Sequence, residues 1–136
     1  MKDIKKTVPS MDEWMKEAKA DVSASECGMY LFHNGVVRKS AKAKVRQGDE
    51  TASDVTGMEF GYDAKMVETA VSKVRRMPGI GYVRVWLNEG YLEVGDDIML
   101  VLIGGDIRPH VIDALQALVG ELKTHCVVEK EIYTRE

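Results

Sequence analysis

Ile98-Met99-Leu100-Val101-Leu102-Ile103-Gly104-Gly105-Asp106 is the stretch that decides the fold. Six consecutive apolar residues read as a strand covered on both faces, because a strand with one wet face alternates apolar with polar. The glycine pair and Asp106 then read as a tight turn and a helix cap. Beyond them Val111, Ile112, Leu115, Leu118, Val119 and Leu122 keep a helical stripe. Pro109 falls in the first turn, where a missing N–H costs nothing. A buried strand running straight into an amphipathic helix is the centre of a layered domain.

Working outward, Val94-Gly95-Asp96 and Glu89-Gly90 mark turns, and Tyr82–Leu87 reads as a strand. Before it lies a helix with the stripe Val67, Ala70, Val71 and Val74, capped by Asp63 and stopped by Pro78-Gly79, with Lys73, Arg75 and Arg76 near its end. Thr56, Met58, Phe60 and Tyr62 alternate as a half-buried strand. Lys39–Asp54 is polar and without period, and is read as a mobile loop or an excursion of an edge hairpin. Gly28–Val37 is a strand in which Gly35 marks a bulge or a close backbone approach. Ser10 and Glu13 have capping-box spacing ahead of the helical face Met11, Trp14, Met15 and Ala18. Cys126–Tyr133 reads as a closing strand. The order α, β, β, α, β, β, α, β predicts an α+β fold with a mixed, mostly antiparallel sheet and about three helices.

The chain of 136 residues fits one domain, 1–136, and is long enough to bury a core without staples. A net charge of −3 argues against a nucleic-acid-binding surface, so any anion site is a local cluster of Lys and Arg. No apolar run is long enough for a membrane span, and the charged start Met1–Lys6 has no apolar region behind it, so a cytoplasmic location is expected. Cys27 and Cys126 are expected to be free, buried and small-hydrophobe-like.

The sequence lacks a Ser-His-Asp signature, a phosphate-cradling loop and a dinucleotide fingerprint. His33, His110 and His125 are scattered, without zinc-ligand spacing, and read as surface or cap residues; no metal and no cofactor is expected. Basic candidates remain. Arg108, in the first turn of the last helix, is either a phosphate or carboxylate seat or a solvated arginine. Lys123 closes the same helix, where a cation also favours the dipole. Lys130 lies on the last strand, and Arg38 ends the first long strand beside the basic loop.

Taken in order, these residues resemble the large, catalytic subunit of molybdopterin synthase. Gly35-Val36-Val37-Arg38 is similar to that family's Gly-x-Val-Arg strand end, and Gly90-Tyr91-Leu92-Glu93-Val94-Gly95-Asp96 to its Gly-x-Leu-x-x-Gly-Asp turn. Arg108 stands where the family has a His-Arg pair, and Lys123 and Lys130 at its two lysine positions, over roughly residues 25–135. The sequence departs from the family at Ile107, at Leu87-Asn88, and at Val127-Val128-Glu129, which puts a carboxylate beside Lys130.

The resemblance implies an α/β-hammerhead-like domain, and sulfur transfer in molybdenum cofactor biosynthesis. A small ubiquitin-like partner ending in a Gly-Gly thiocarboxylate would supply sulfur to cyclic pyranopterin monophosphate, yielding molybdopterin. Lys123 would be the principal catalytic residue, Lys130 its helper, and Arg38 and Arg108 the substrate-binding cations. The alternative is a non-catalytic member that binds the Gly-Gly tail or the pterin without turnover. Arg108 and Lys123 lie at opposite ends of one helix, about 22 Å apart at 1.5 Å per residue. If both touch one ligand, the expected assembly is a homodimer with a shared site.

Overall fold

The computed structural model describes residues 5–41, 48 and 54–133. The described chain contains helix α1 (Met11–Ala20), a 3₁₀ turn (Val22–Glu26), β1 (Met29–Val36), β2 (Val55–Tyr62), α2 (Ala64–Arg75), β3 (Ile80–Leu87), β4 (Gly90–Glu93), β5 (Asp97–Gly105), α3 (Arg108–Glu121), a π-helical turn (Leu122–Cys126) and β6 (Val127–Tyr133). The strands form two sheets, ordered β1-β5-β3 and β4-β2-β6, and every pairing is antiparallel. This is the expected α+β fold with three helices, its strands divided between two sheets. Most of the excursion expected over Lys39–Asp54 (42–47 and 49–53) lies outside the described residues.

The apolar run forms the centre of the first sheet, as its lack of alternation predicts. Leu100 and Leu102 pack with Trp14 and Ala18 of α1 on one face. Met99, Val101 and Ile103 join the larger core with Val111, Ala114 and Leu118 of α3 on the other. Burial of these side chains is the main driving force for joining the layers, at about 25 cal/mol per Å² of apolar surface. Ser10 Oγ accepts the Glu13 N–H at 3.2 Å, as the spacing at the start of α1 suggested. Arg84 lies over the Trp14 ring at 4.4 Å and meets Glu17 at 2.6 Å, closing the outer edge of that helix.

Three local readings are corrected. Gly90–Glu93, left between two turns, is a strand that pairs with β2 and buries Leu92 completely; four residues are too few to display a period. Asp106 does not cap α3. The N-cap is Ile107, and the Asp106 carboxylate accepts the Ile107 N–H and meets His110 Nδ1, each at 2.7 Å. The expected stripe reaches the core through Val111, Leu115, Leu118 and Val119 of α3 and Leu122 just beyond it, whereas Ile112 lies outside it at 38% exposure. The small Ala114, not among the expected stripe residues, is fully buried with them.

The glycine pair has a steric role. A Cβ on Gly105 would stand 2.7 Å from Val111 Cγ2 and 2.8 Å from the Gly79 carbonyl, so only glycine lets α3 start this close to the end of β5. Gly35 also behaves as expected: the pairing of β1 with β5 shifts register between Gly35 and Val36.

A short N-terminal strap closes one end of the domain. Buried Asn88 accepts the Lys6 N–H at 2.7 Å and the Glu89 N–H at 2.9 Å, and donates to the Asp97 carbonyl at 2.8 Å. Lys6 Nζ donates to the Tyr62 hydroxyl and the Leu87 carbonyl, between the Tyr62 and Trp86 rings. Among the described residues no helix is long and apolar enough to cross a membrane.

Candidate functional site

The last helix does not run on to Lys123. It ends at Glu121, and the next five residues form a π turn in which the Val127 N–H reaches back to the Leu122 carbonyl. This wider turn buries both Leu122 and Cys126 and leaves Lys123 outside the core. Such insertions cost hydrogen-bond quality and recur at functional positions.

Lys123 lies at the rim of a cavity of about 210 Å³ between the two sheets. β1 and the residues after it supply His33, Gly35 and Arg38; β2 supplies Met58, β5 supplies Met99, and β6 supplies Glu129 and Glu131. Arg38 follows the register shift at Gly35, and its Nε donates to the Ser40 carbonyl at 3.0 Å, which holds the guanidinium beside the opening. Arg38 and Lys123, far apart in sequence, are thus brought together by the meeting of β1 with the end of α3.

The other two cations stand elsewhere. Lys130 is paired with Glu59 across β6 and β2, while Glu129 pairs with Phe60 and Glu131 with Met58. Since successive side chains on a strand point to opposite faces, the carboxylates face the cavity and Lys130 faces away. Arg108 is exposed in the first turn of α3, at the far end of the helix from Lys123. Within one chain the cavity therefore gathers two of the four predicted residues.

Sequence reasoning missed three groups on the cavity wall. Glu129 was noticed only as a neighbour of Lys130, and Glu131 not at all; counting alternation along β6 from the apolar Val127, half-buried on the same face, would have placed both. His33, read as a surface or cap residue, is half-buried on the wall. Its Nε2 is enclosed and has no hydrogen-bond partner among the described residues. Burial, and then the positive charge of Lys123, push the His33 pKa below the ordinary histidine value, so the neutral ring is favoured. The signal available was its phase: His33 shares a strand face with Leu31 and Gly35, not with the outward Asn34.

Among the described residues no three His, Cys, Asp or Glu side chains converge as a metal site. Cys27 and Cys126 are both free; Cys126 is buried as expected, which pushes its thiol pKa up, whereas Cys27 is only half-buried.

The sequence profile of the MoaE protein family matches residues 8–125. The chain belongs to the MoaE family. This family is the catalytic subunit of molybdopterin synthase, and membership places the chain in molybdenum cofactor biosynthesis. No curated protein matches the sequence significantly. Solved structures of the same fold include molybdopterin synthase from Staphylococcus aureus (TM-score 0.70, 16% identity, covering 94% of this chain and 88% of that one). The MoaE protein from Burkholderia ambifaria gives a TM-score of 0.64 at 19% identity, covering 99% of this chain and 88% of that one. A complex of subunits 1 and 2 of molybdopterin-converting factor from Helicobacter pylori gives 0.62 at 16% identity, covering 94% and 86%. At these identities the structures establish MoaE architecture and leave the chemistry to the residues of this chain.

Proposed function

We propose that this chain is the sulfur-transferring subunit of a cytoplasmic molybdopterin synthase. It accepts the thiocarboxylated Gly-Gly tail of a small ubiquitin-like partner and passes sulfur to cyclic pyranopterin monophosphate, forming the dithiolene of molybdopterin. The observation that carries this reading is the convergence of Lys123 and Arg38 on one cavity between the sheets of a MoaE-family fold. The substrate is a phosphate and the tail ends in a carboxylate-like group, so two cations at one opening match the ligand's charge. Lys123, on a solvent-facing turn, is the principal catalytic residue: it neutralises charge on the acyl group and moves protons. The two-subunit assembly in Helicobacter pylori supports a small-subunit partner.

Arg108 is too far along α3 to join Lys123 within one chain. It binds substrate from a second copy, which makes the functional unit a homodimer with two shared sites. Lys130 enters as a helper from the outer face of the β4-β2-β6 sheet, which requires another subunit lying on that face. A second reading, binding without turnover, is favoured by one observation: Glu129 and Glu131 line the same cavity and oppose an anionic ligand. Incubation with the thiocarboxylated partner and the pyranopterin substrate separates the two. Dithiolene formation supports the enzyme; a stable complex without product supports the binding protein.

A further inference from the structure

His33 stands on β1 opposite Val101 of β5 and shares the cavity wall with Lys123 and Arg38. Its ring lies over Gly35, where a Cβ would come within 3.9 Å of Nε2. The enclosed Nε2 has no hydrogen-bond partner among the described residues, so no carboxylate or carbonyl of those residues fixes that nitrogen. The charged groups facing the same space are Lys123 from the π turn, Arg38 beyond β1, and Glu129 and Glu131 from β6. Burial and Lys123 disfavour the imidazolium, which leaves a neutral ring with one N–H and one lone pair.

Sulfur delivery from a thiocarboxylate needs such a base in its second half. In the first half the thiocarboxylate sulfur bonds to an electrophilic substrate carbon as a carbon–oxygen bond at that carbon breaks, its electron pair leaving on oxygen, which takes up a proton, and the partner's tail remains attached through a thioester. In the second half a water oxygen adds to the acyl carbon, and the carbon–sulfur bond breaks with its electron pair leaving on sulfur. The tail departs as a carboxylate and the substrate keeps a thiolate. One water is consumed and two protons are released in this half, with no oxidant or reductant.

We propose that His33 is the catalytic base that takes the proton from this water. A base is most effective when its pKa lies near the working pH, which favours an imidazole over the carboxylates of Glu129 and Glu131. Lys123 and Arg38 hold the acyl oxygen and the substrate anions, and His33 supplies the proton acceptor that neither ammonium nor guanidinium provides. This role rests on the reading of the chain as a sulfur-transfer subunit.

The test is a single-turnover reaction of the full chain with a thiocarboxylated ubiquitin-like protein ending in Gly-Gly and cyclic pyranopterin monophosphate. Quenched samples are followed by mass spectrometry. In His33→Phe and His33→Asn the first carbon–sulfur bond forms at the wild-type rate, and the thioester accumulates. Its decay slows by about 10²–10⁴-fold. The acid limb of the wild-type pH–rate profile disappears, and added imidazole restores part of the decay in His33→Ala. Asparagine, polar and smaller, keeps the test open if phenylalanine disrupts the fold. Wild-type turnover with unchanged thioester decay and pH profile in folded variants overturns the role of His33 alone. Absence of any sulfur transfer by the wild-type protein overturns the functional reading and this inference with it.

Discussion

Lys130 of β6 lies directly across from Glu59 of β2, one residue out of phase with the two carboxylates that line the cavity. Lys123, on the preceding turn, lies at the cavity itself. The two lysines assigned to one reaction therefore occupy different faces of the β4-β2-β6 sheet in the single chain.

This separation orders their expected effects. Lys123→Ala lowers sulfur transfer by about 10²–10⁴-fold, the range for loss of a positioned proton-transfer group. It leaves stability within about 0.5 kcal/mol, because the side chain is exposed. Lys130→Ala lowers turnover by less than about tenfold, in keeping with an exposed charge acting from outside the cavity. Steady-state rates and thermal melts of both variants check this. Equal losses in the two would place the lysines in one pocket.

A shared site has a stoichiometric signature. Arg108→Ala and Lys123→Ala chains are each inactive as homodimers. Mixed and allowed to exchange, half the dimers are heterodimers, and each of these has one intact site and one doubly altered site. Recovery of roughly a quarter of wild-type activity is expected from the twofold symmetry. No recovery, with exchange verified by native mass spectrometry, places Arg108 outside the reaction.

Asn88 is a buried polar side chain that bonds to backbone groups: the Lys6 and Glu89 N–H groups and the Asp97 carbonyl. Asn88→Ala leaves these groups short of partners and releases the N-terminal strap. The expected cost is about 1–3 kcal/mol, read as a lower denaturant midpoint with an unchanged slope. Lys6→Ala loses the hydrogen bonds to Tyr62 and Leu87 but keeps the backbone bond to Asn88, so a smaller loss is expected.

Stability against pH follows from His33. Its folded pKa is depressed, so below the ordinary value of about 6.5 the unfolded chain binds a proton that the folded chain refuses. Stability from this group is full above that value and falls as the pH drops toward the folded pKa. Asp96 adds a separate loss at lower pH. Its carboxyl is held below the usual range chiefly by the hydrogen bond from Lys5, so its contribution disappears as pH falls through that depressed value. Denaturation of wild type and His33→Gln at pH 8 and pH 5.5 measures the first effect: wild type loses more on acidification. Equal losses would mean that His33 titrates normally.

What was legible in the amino-acid order was local. The unbroken apolar run from Ile98 to Ile103, the glycine-proline punctuation and the stripe on α3 each depend on neighbours a few residues apart, and each became the expected element. β4 escaped because a four-residue strand has no period, and its existence depends on pairing with Gly57–Phe60. The ending of α3 escaped because a π turn adds a residue per turn without altering composition.

The sequence by itself determined the α+β layering, the central buried strand, and the presence of a few well-spaced cations in a chain of net negative charge. Only the tertiary structure decided which of those cations meet. Arg38 and Lys123 share a cavity because the end of β1 crosses the turn after α3, while a single step in β6 phase turns Lys130 away and Glu129 and Glu131 inward. Strand phase and the pairing of distant segments are set by packing across the core, and no stretch of neighbouring residues encodes them.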